Sequence, residues 1–205
     1  MTHFTSFVRR LALASALVLG AAPAFAGPMY HVEINTAGVD AASGLLDFGF
    51  AGTTNADLST IKLSNFSGTF GAAPAQTIGD VVVLGAGYTM STAIDGMAFL
   101  TRAVNLGGGF GFDIAFADNY TGTDAITFAV ALYGDNFAAL AGVPFPLVTM
   151  QLFPAAGQDP AYVGVSDSNG FATSTVIPEP SELLLMLTGL ALAAFLTRRA
   201  RNNAA

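Results

Sequence analysis

The chain has 205 residues, 53% hydrophobic and only 10% charged, with no Cys, no Trp and a formal net charge of −7. That composition excludes an intrinsically disordered chain, which couples high charge to low hydrophobicity. Seven basic residues against fourteen acidic ones exclude a nucleic-acid binder, and the missing cysteines exclude zinc fingers, thiol catalysis and a disulfide framework.

Residues 1–26 read as a secretory signal peptide. Arg9 and Arg10 give a positive start, Leu11 to Leu19 an apolar run, and Ala24-Phe25-Ala26 an A-x-A cleavage site. The apolar run is too short for a bilayer, which takes roughly 20 residues. Phe7-Val8 stands directly before the arginine pair in place of the polar residue usual there, so the general secretory route is expected rather than the twin-arginine route, with a mature start near Gly27.

Residues 27–176 are enough for one domain with its own core. They carry two basic residues, Lys62 and Arg102, against twelve acidic ones, which suits an extracellular domain kept soluble by net charge. Apolar residues alternate with small or polar ones at Tyr30-Val32-Ile34, Phe110-Phe112-Ile114-Phe116, Ile126-Phe128-Val130-Leu132 and Val148-Met150-Leu152. Further strand-like runs are 45–50, 58–66, 78–84, 88–91, 97–106 and 161–165. Turn residues separate them at 40–44, 71–74, 95–96, 107–109, 118–124, 155–160 and 166–170. Asp135 to Leu140 is the one helical candidate. About ten short strands, each with one apolar face, are buried by two sheets packed face to face or by a rolled-up barrel. The expected fold is all-β, a two-sheet β-sandwich of jelly-roll type, flanked by the signal helix and a short C-terminal transmembrane helix.

Residues 177–205 form a third segment. Pro178-Glu179-Pro180 forbids a regular helix, so one can start only near Ser181, an effective N-cap, with Glu182 in the first turn. Leu183 to Leu196 would extend about 21 Å as a helix, against a hydrocarbon core of about 30 Å. Arg198, Arg199 and Arg201 follow and would stay cytoplasmic, leaving everything before Pro178 outside the inner membrane. This is a short membrane stop with a basic tail.

Pro-Glu-Pro, a short apolar helix and an arginine cluster in that order resemble the PEP-CTERM sorting domain of exported Gram-negative bacterial proteins. Pro178, Glu179 and Pro180 match the naming motif, and Arg198, Arg199 and Arg201 the basic tail. Glu182 departs from the family, which more often carries a neutral residue there. The resemblance implies an exosortase as processing partner, transient residence in the inner membrane, and bacteria that make exopolysaccharide or biofilm matrix. The opening Tyr30-His31-Val32-Glu33-Ile34-Asn35-Thr36, with Gly44-Leu45-Leu46-Asp47-Phe48-Gly49-Phe50, is similar to small PEP-CTERM proteins of unassigned function, and that similarity brings no activity.

Chemistry inside the domain reads sparsely. His31 is the one histidine after the leader, so no zinc site or Ser-His pair is expected, and it reads as a satisfied residue on a strand face. Asp47 and Asp113 lie inside strands and are the carboxylates least explained by turns, but alternation sends both outward. Calcium is the best-motivated metal: Asp118, Asp124, Asp167 and Asn169 put oxygens on glycine turns. Neither turn has EF-hand spacing, so plain turns and no cofactor are expected. Gly107-Gly108-Gly109-Phe110-Gly111 reads as a hairpin and not a phosphate loop, since no Lys-Ser/Thr follows. The first functional expectation is a non-enzymatic envelope or matrix protein, with exopolysaccharide as a further partner. The alternative is a carbohydrate-binding sandwich using Tyr88, Tyr120, Tyr133 and Tyr162 in place of Trp, and a secreted hydrolase comes third.

Overall fold

The computed structural model describes residues 27–53, 58–117, 120, 123–153, 163–168 and 170–177. The signal peptide, with Ala24 and Ala26, and the whole segment from Pro178 onward lie outside the described residues. Within them the chain is all-β. The strands are β1 (Met29–Asn35), β2 (Ser43–Ala51), β3 (Thr60–Ser67), β4 (Phe70–Leu84), β5 (Gly87–Ser91), β6 (Met97–Asn105), β7 (Gly109–Phe116), β8 (Ile126–Tyr133), β9 (Val148–Leu152), β10 (Val163–Asp167) and β11 (Ala172–Ile177).

All the ladders are antiparallel, and they join the strands in the order β10-β9-β8-β2-β6-β4-β5-β3-β7-β1-β11. The sheet turns its corner at β4, which pairs with β6 from Phe70 to Gly79 and with β5 from Asp80 to Leu84. Gly79 marks the corner: its φ is +73°, and a Cβ there would stand 2.1 Å from the Met97 carbonyl oxygen. Glycine alone tolerates both conditions. The outermost strands, β10 and β11, meet again across a short turn, where both Asp167 carboxylate oxygens are bonded by Ser174, one by its N–H (2.6 Å) and one by its hydroxyl (2.7 Å). The sheet is therefore rolled nearly into a barrel.

Strand alternation fills the interior. Val32, Ile34, Leu46, Phe48, Phe50, Leu63, Phe112, Ile114, Phe128 and Met150 are buried in one apolar cluster. Phe48 of β2 meets Phe112 of β7 edge-on at 5.1 Å between ring centroids, and Phe112 meets Phe128 of β8 at 6.3 Å. Edge-to-face pairs of this kind add to the apolar burial that drives the fold.

Three elements differ from the sequence reading. The turn expected at 71–74 is strand, because β4 pairs through it; Pro74 is tolerated there since this stretch has a partner on one edge and the register shifts on either side of it. Residues 172–177 form β11, pairing with β1 in the register Met29↔Ile177 to Ile34↔Ala172, so the domain extends one residue beyond 176. The helical candidate at Asp135 is a single 3-10 turn, Asp135–Phe137, in which Asn136 and Phe137 both have positive φ (58° and 59°).

Candidate functional site

Register places two polar rows side by side on the outer face of β11, β1, β7 and β3. One row runs Thr175, His31, Asp113, Ser64; the next runs Thr173, Glu33, Gly111, Ser67. Directly opposed residues share a face, so these side chains stand away from the core that Tyr30, Val32, Phe110 and Phe112 fill. Asp113 is nonetheless only 7% exposed. Its Oδ1 lies 2.6 Å from His31 Nδ1, and its Oδ2 accepts a 2.6 Å hydrogen bond from Asn65 Nδ2. A β-bulge makes the second contact. The β3–β7 register slips between Ser64 and Ser67, and Asn65 takes φ +52°, a conformation asparagine tolerates better than most residues. The bulge swings Asn65 over Asp113 while Phe66 returns to the interior.

A carboxylate only accepts, so His31 donates to Asp113 through Nδ1. Nε2 lies 3.6 Å from the exposed Glu33 carboxylate. Beside it opens a groove of about 550 Å³, bordered by Glu33, Asn35, Ser67, Gly109, Gly111 and Thr173 among others. Gly111 is buried beneath Ser67 and His31: a Cβ there would lie 2.6 Å from Ser67 Oγ and 3.5 Å from His31 Nε2.

The opposite outer face carries a second cluster. On β2 and β6, Thr101 Oγ1 donates to Asp47 Oδ1 at 2.6 Å, and burial pushes the Asp47 carboxyl above the ordinary aspartate range, with the Thr101 bond pulling the other way. Tyr133 of β8 is also pushed up, by burial first and then by the negative charge of Asp47. Its ring touches Phe137 at 5.6 Å and Phe145 at 5.7 Å between centroids. Phe145 is 70% exposed and Phe137 47%, above a small apolar cleft of about 260 Å³.

Arg102 is inside the sheet, at the inward position between Leu100 and Val104, and 7% exposed. Its Nη1 donates to Tyr88 Oη (2.7 Å) and its Nη2 to the Gly71 carbonyl (2.5 Å). The guanidinium lies 5.2–5.7 Å from the ring centroids of Phe66, Phe70 and Tyr88. No acid side chain bonds it, and Nε has no hydrogen-bond partner among the described residues.

The expected site residues scatter. Asp124 Oδ2 accepts from Thr53 Oγ1 at 2.6 Å, its carbonyl accepts from the Tyr120 hydroxyl, and Asp167 is held by Ser174. Asp118 and Asn169 lie outside the described residues. Among those described, no three His, Asp or Glu side chains gather in a way that could hold a metal ion. Asp47 and Asp113 do point outward, but from opposite halves of the rolled sheet with the aromatic core between them, so they do not form a carboxylate pair across one cleft. Of the four tyrosines, Tyr88 and Tyr120 are buried (6% and 4% exposed) and Tyr162 lies outside the described residues; Tyr133 is the one placed in an exposed aromatic group. Sequence reasoning missed the His31–Asp113–Asn65 unit and the Arg102 cage. Parity on β6 does place Arg102 inward, whereas the His31 partnership needs a cross-strand register that no local pattern carries.

Among the described residues no helix is long and apolar enough to cross a membrane. No family model matches the chain, and no curated protein or solved structure matches it either.

Proposed function

We propose that this chain is a non-enzymatic exported protein of the envelope or extracellular matrix of a Gram-negative bacterium, sorted and processed by an exosortase. Residues 1–26 carry it across the inner membrane. Residues 177–205 hold it there through the short apolar stretch until the enzyme acts near Pro178-Glu179-Pro180, after which it reaches the cell surface or the extracellular biofilm matrix. The observation carrying this reading is the order of Pro178-Glu179-Pro180, Leu183 to Leu196, then Arg198, Arg199 and Arg201. The fold is in keeping with it. Because β1 and β11 are antiparallel with Met29 opposite Ile177, the leader and the sorting segment join the domain side by side at one corner. A domain tethered at one corner can fold on the outer side while still attached.

In this reading the domain works as a two-layer sandwich of jelly-roll type, with β4 as the strand shared by the layers. The support is the Phe48–Phe112 contact, which joins the two halves through their inner faces. Support for a non-enzymatic role is that the in-strand carboxylates Asp47 and Asp113 point outward from opposite halves of the rolled sheet and each has a neighbouring partner.

The test is to graft residues 177–205 onto a neutral exported reporter in a host that has an exosortase. The reporter is expected to lose the basic tail, as read by intact mass, and to leave the inner membrane. A reporter that stays embedded and uncut overturns the proposal.

A further inference from the structure

We infer that the groove beside His31, where β1 lies between β7 and β11, is a binding site for a neutral glycan. The inference goes beyond the sorting reading and does not rest on it.

The groove is built rather than incidental. Asp113, a charged side chain more than nine-tenths buried, fixes the histidine, and Asn65 fixes Asp113 from a bulge with positive φ. Hydrogen bonds to both oxygens of the buried Asp113 carboxylate hold it and its two more exposed partners in one arrangement. Here the arrangement sets the histidine ring over Gly111 and next to the Glu33 carboxylate, which lines the groove and offers it an acceptor. Ser67 and Thr173 add hydroxyls along the same row. The hydroxyls both donate and accept while the Glu33 carboxylate only accepts, so a ligand matching this wall brings groups that do both, as a chain of sugar hydroxyls does.

The floor argues for a flat ring. Gly109 is exposed and brings no side chain, so a ligand can lie against the peptide plane of β7 there, whereas Gly111 is buried beneath Ser67 and His31. The volume of about 550 Å³ is in the range of ligand sites, roughly 300–1,000 Å³. Charge decides against an acidic ligand. Of the domain's two basic residues, Arg102 is sealed in the interior and Lys62 is absent from the groove lining, whereas Glu33 is in it.

The test uses the full chain in detergent micelles, titrated calorimetrically with neutral gluco-, manno- and galacto-hexasaccharides. A galacturonate hexamer serves as the anionic arm and spermidine as the amine arm. At least one neutral hexasaccharide is expected to bind. Its affinity is expected to fall at least tenfold in Gly109→Val, which puts a side chain on the open floor of the groove, and in Glu33→Ala, which alters an exposed side chain and leaves the backbone alone. Tyr133→Ala, on the opposite face, is expected to leave it unchanged. The inference is overturned if no neutral sugar binds, if Glu33→Ala leaves binding intact, if Tyr133→Ala is the variant that abolishes it, or if the galacturonate or spermidine is preferred. Because the titration uses unprocessed protein, failure here leaves the sorting proposal standing, and failed processing leaves this one standing.

Discussion

Two side chains carry charge where strand alternation alone would place apolar or freely solvated groups. Arg102 is inside without an acid, and its stability comes from stacking on Phe66, Phe70 and Tyr88 and from two hydrogen bonds. Lysine keeps the charge but loses the planar fork and the stacking. Arg102→Lys is therefore expected to lower stability by about 1–3 kcal/mol, the scale of an orphaned buried acceptor plus lost cation–π contact, read as a lower urea midpoint at unchanged slope. Asp47 is the opposite case. Its carboxyl is raised by burial, so the folded state holds the proton more tightly than the unfolded chain, in which aspartate ionises near about 3.9. Ionised Asp47 costs stability at neutral pH, and that cost disappears as pH falls through the raised native value toward the unfolded one. Asp47→Asn, whose Oδ1 still accepts from Thr101, is expected to unfold at higher urea than the parent at pH 7. The gap should close below about pH 4; equal midpoints at pH 7 would refute the argument. Both residues were visible in the sequence, Arg102 by its inward parity on β6 and Asp47 by its outward parity on β2. What parity could not give was the company each keeps.

Among the strands, β4 stands apart. None of its fifteen residues is buried, and Ile78, Val82, Val83 and Leu84 are each about half exposed. Each part of β4 pairs with one neighbour, β6 or β5, so every residue keeps an unpaired edge among the described residues. An apolar strand of this kind invites edge-to-edge association. Val83→Lys is expected to change stability by less than about 0.5 kcal/mol, as for exposed positions away from packing, while lowering light scattering at high protein concentration. Scattering that is unchanged at equal stability would show that this edge is not where copies meet. The strong alternators β1, β2, β7, β8 and β9 were legible because a half-buried strand writes its two faces into every second residue. Residues 71–74 were not, since Gly71 and Pro74 are turn signals whose meaning changes where a strand has a free edge. Nor was β11: Ala172-Thr-Ser-Thr-Val-Ile has a small, polar pattern, and it is strand because β1 supplies the partner.

For the molecule as a whole, closure depends on a few contacts at the seam. Asp167 takes both bonds from Ser174 where β10 hands over to β11. Asp167→Ala is expected to cost about 1 kcal/mol and to speed hydrogen exchange in β11 and β1 well before the Phe48–Phe112 core. Uniform loss of protection across the barrel would instead make the seam part of the global unfolding unit. If the proposed processing near Pro178 holds, local opening there would bear on it, since Ile177 pairs with Met29 immediately before Pro178. The amino-acid order alone determined the all-β class and the faces of the strongly alternating strands, because periodicity and turn residues act over a few neighbours. The tertiary structure decided which strands adjoin, and with that the His31–Asp113–Asn65 unit, the glycine-floored groove and the caged Arg102. The hydrogen bonds of the histidine unit and the arginine cage join residues 14 to 82 positions apart, and the groove sets Glu33 opposite Thr173; only the register of a rolled sheet, set by burying its inner face, brings such residues together.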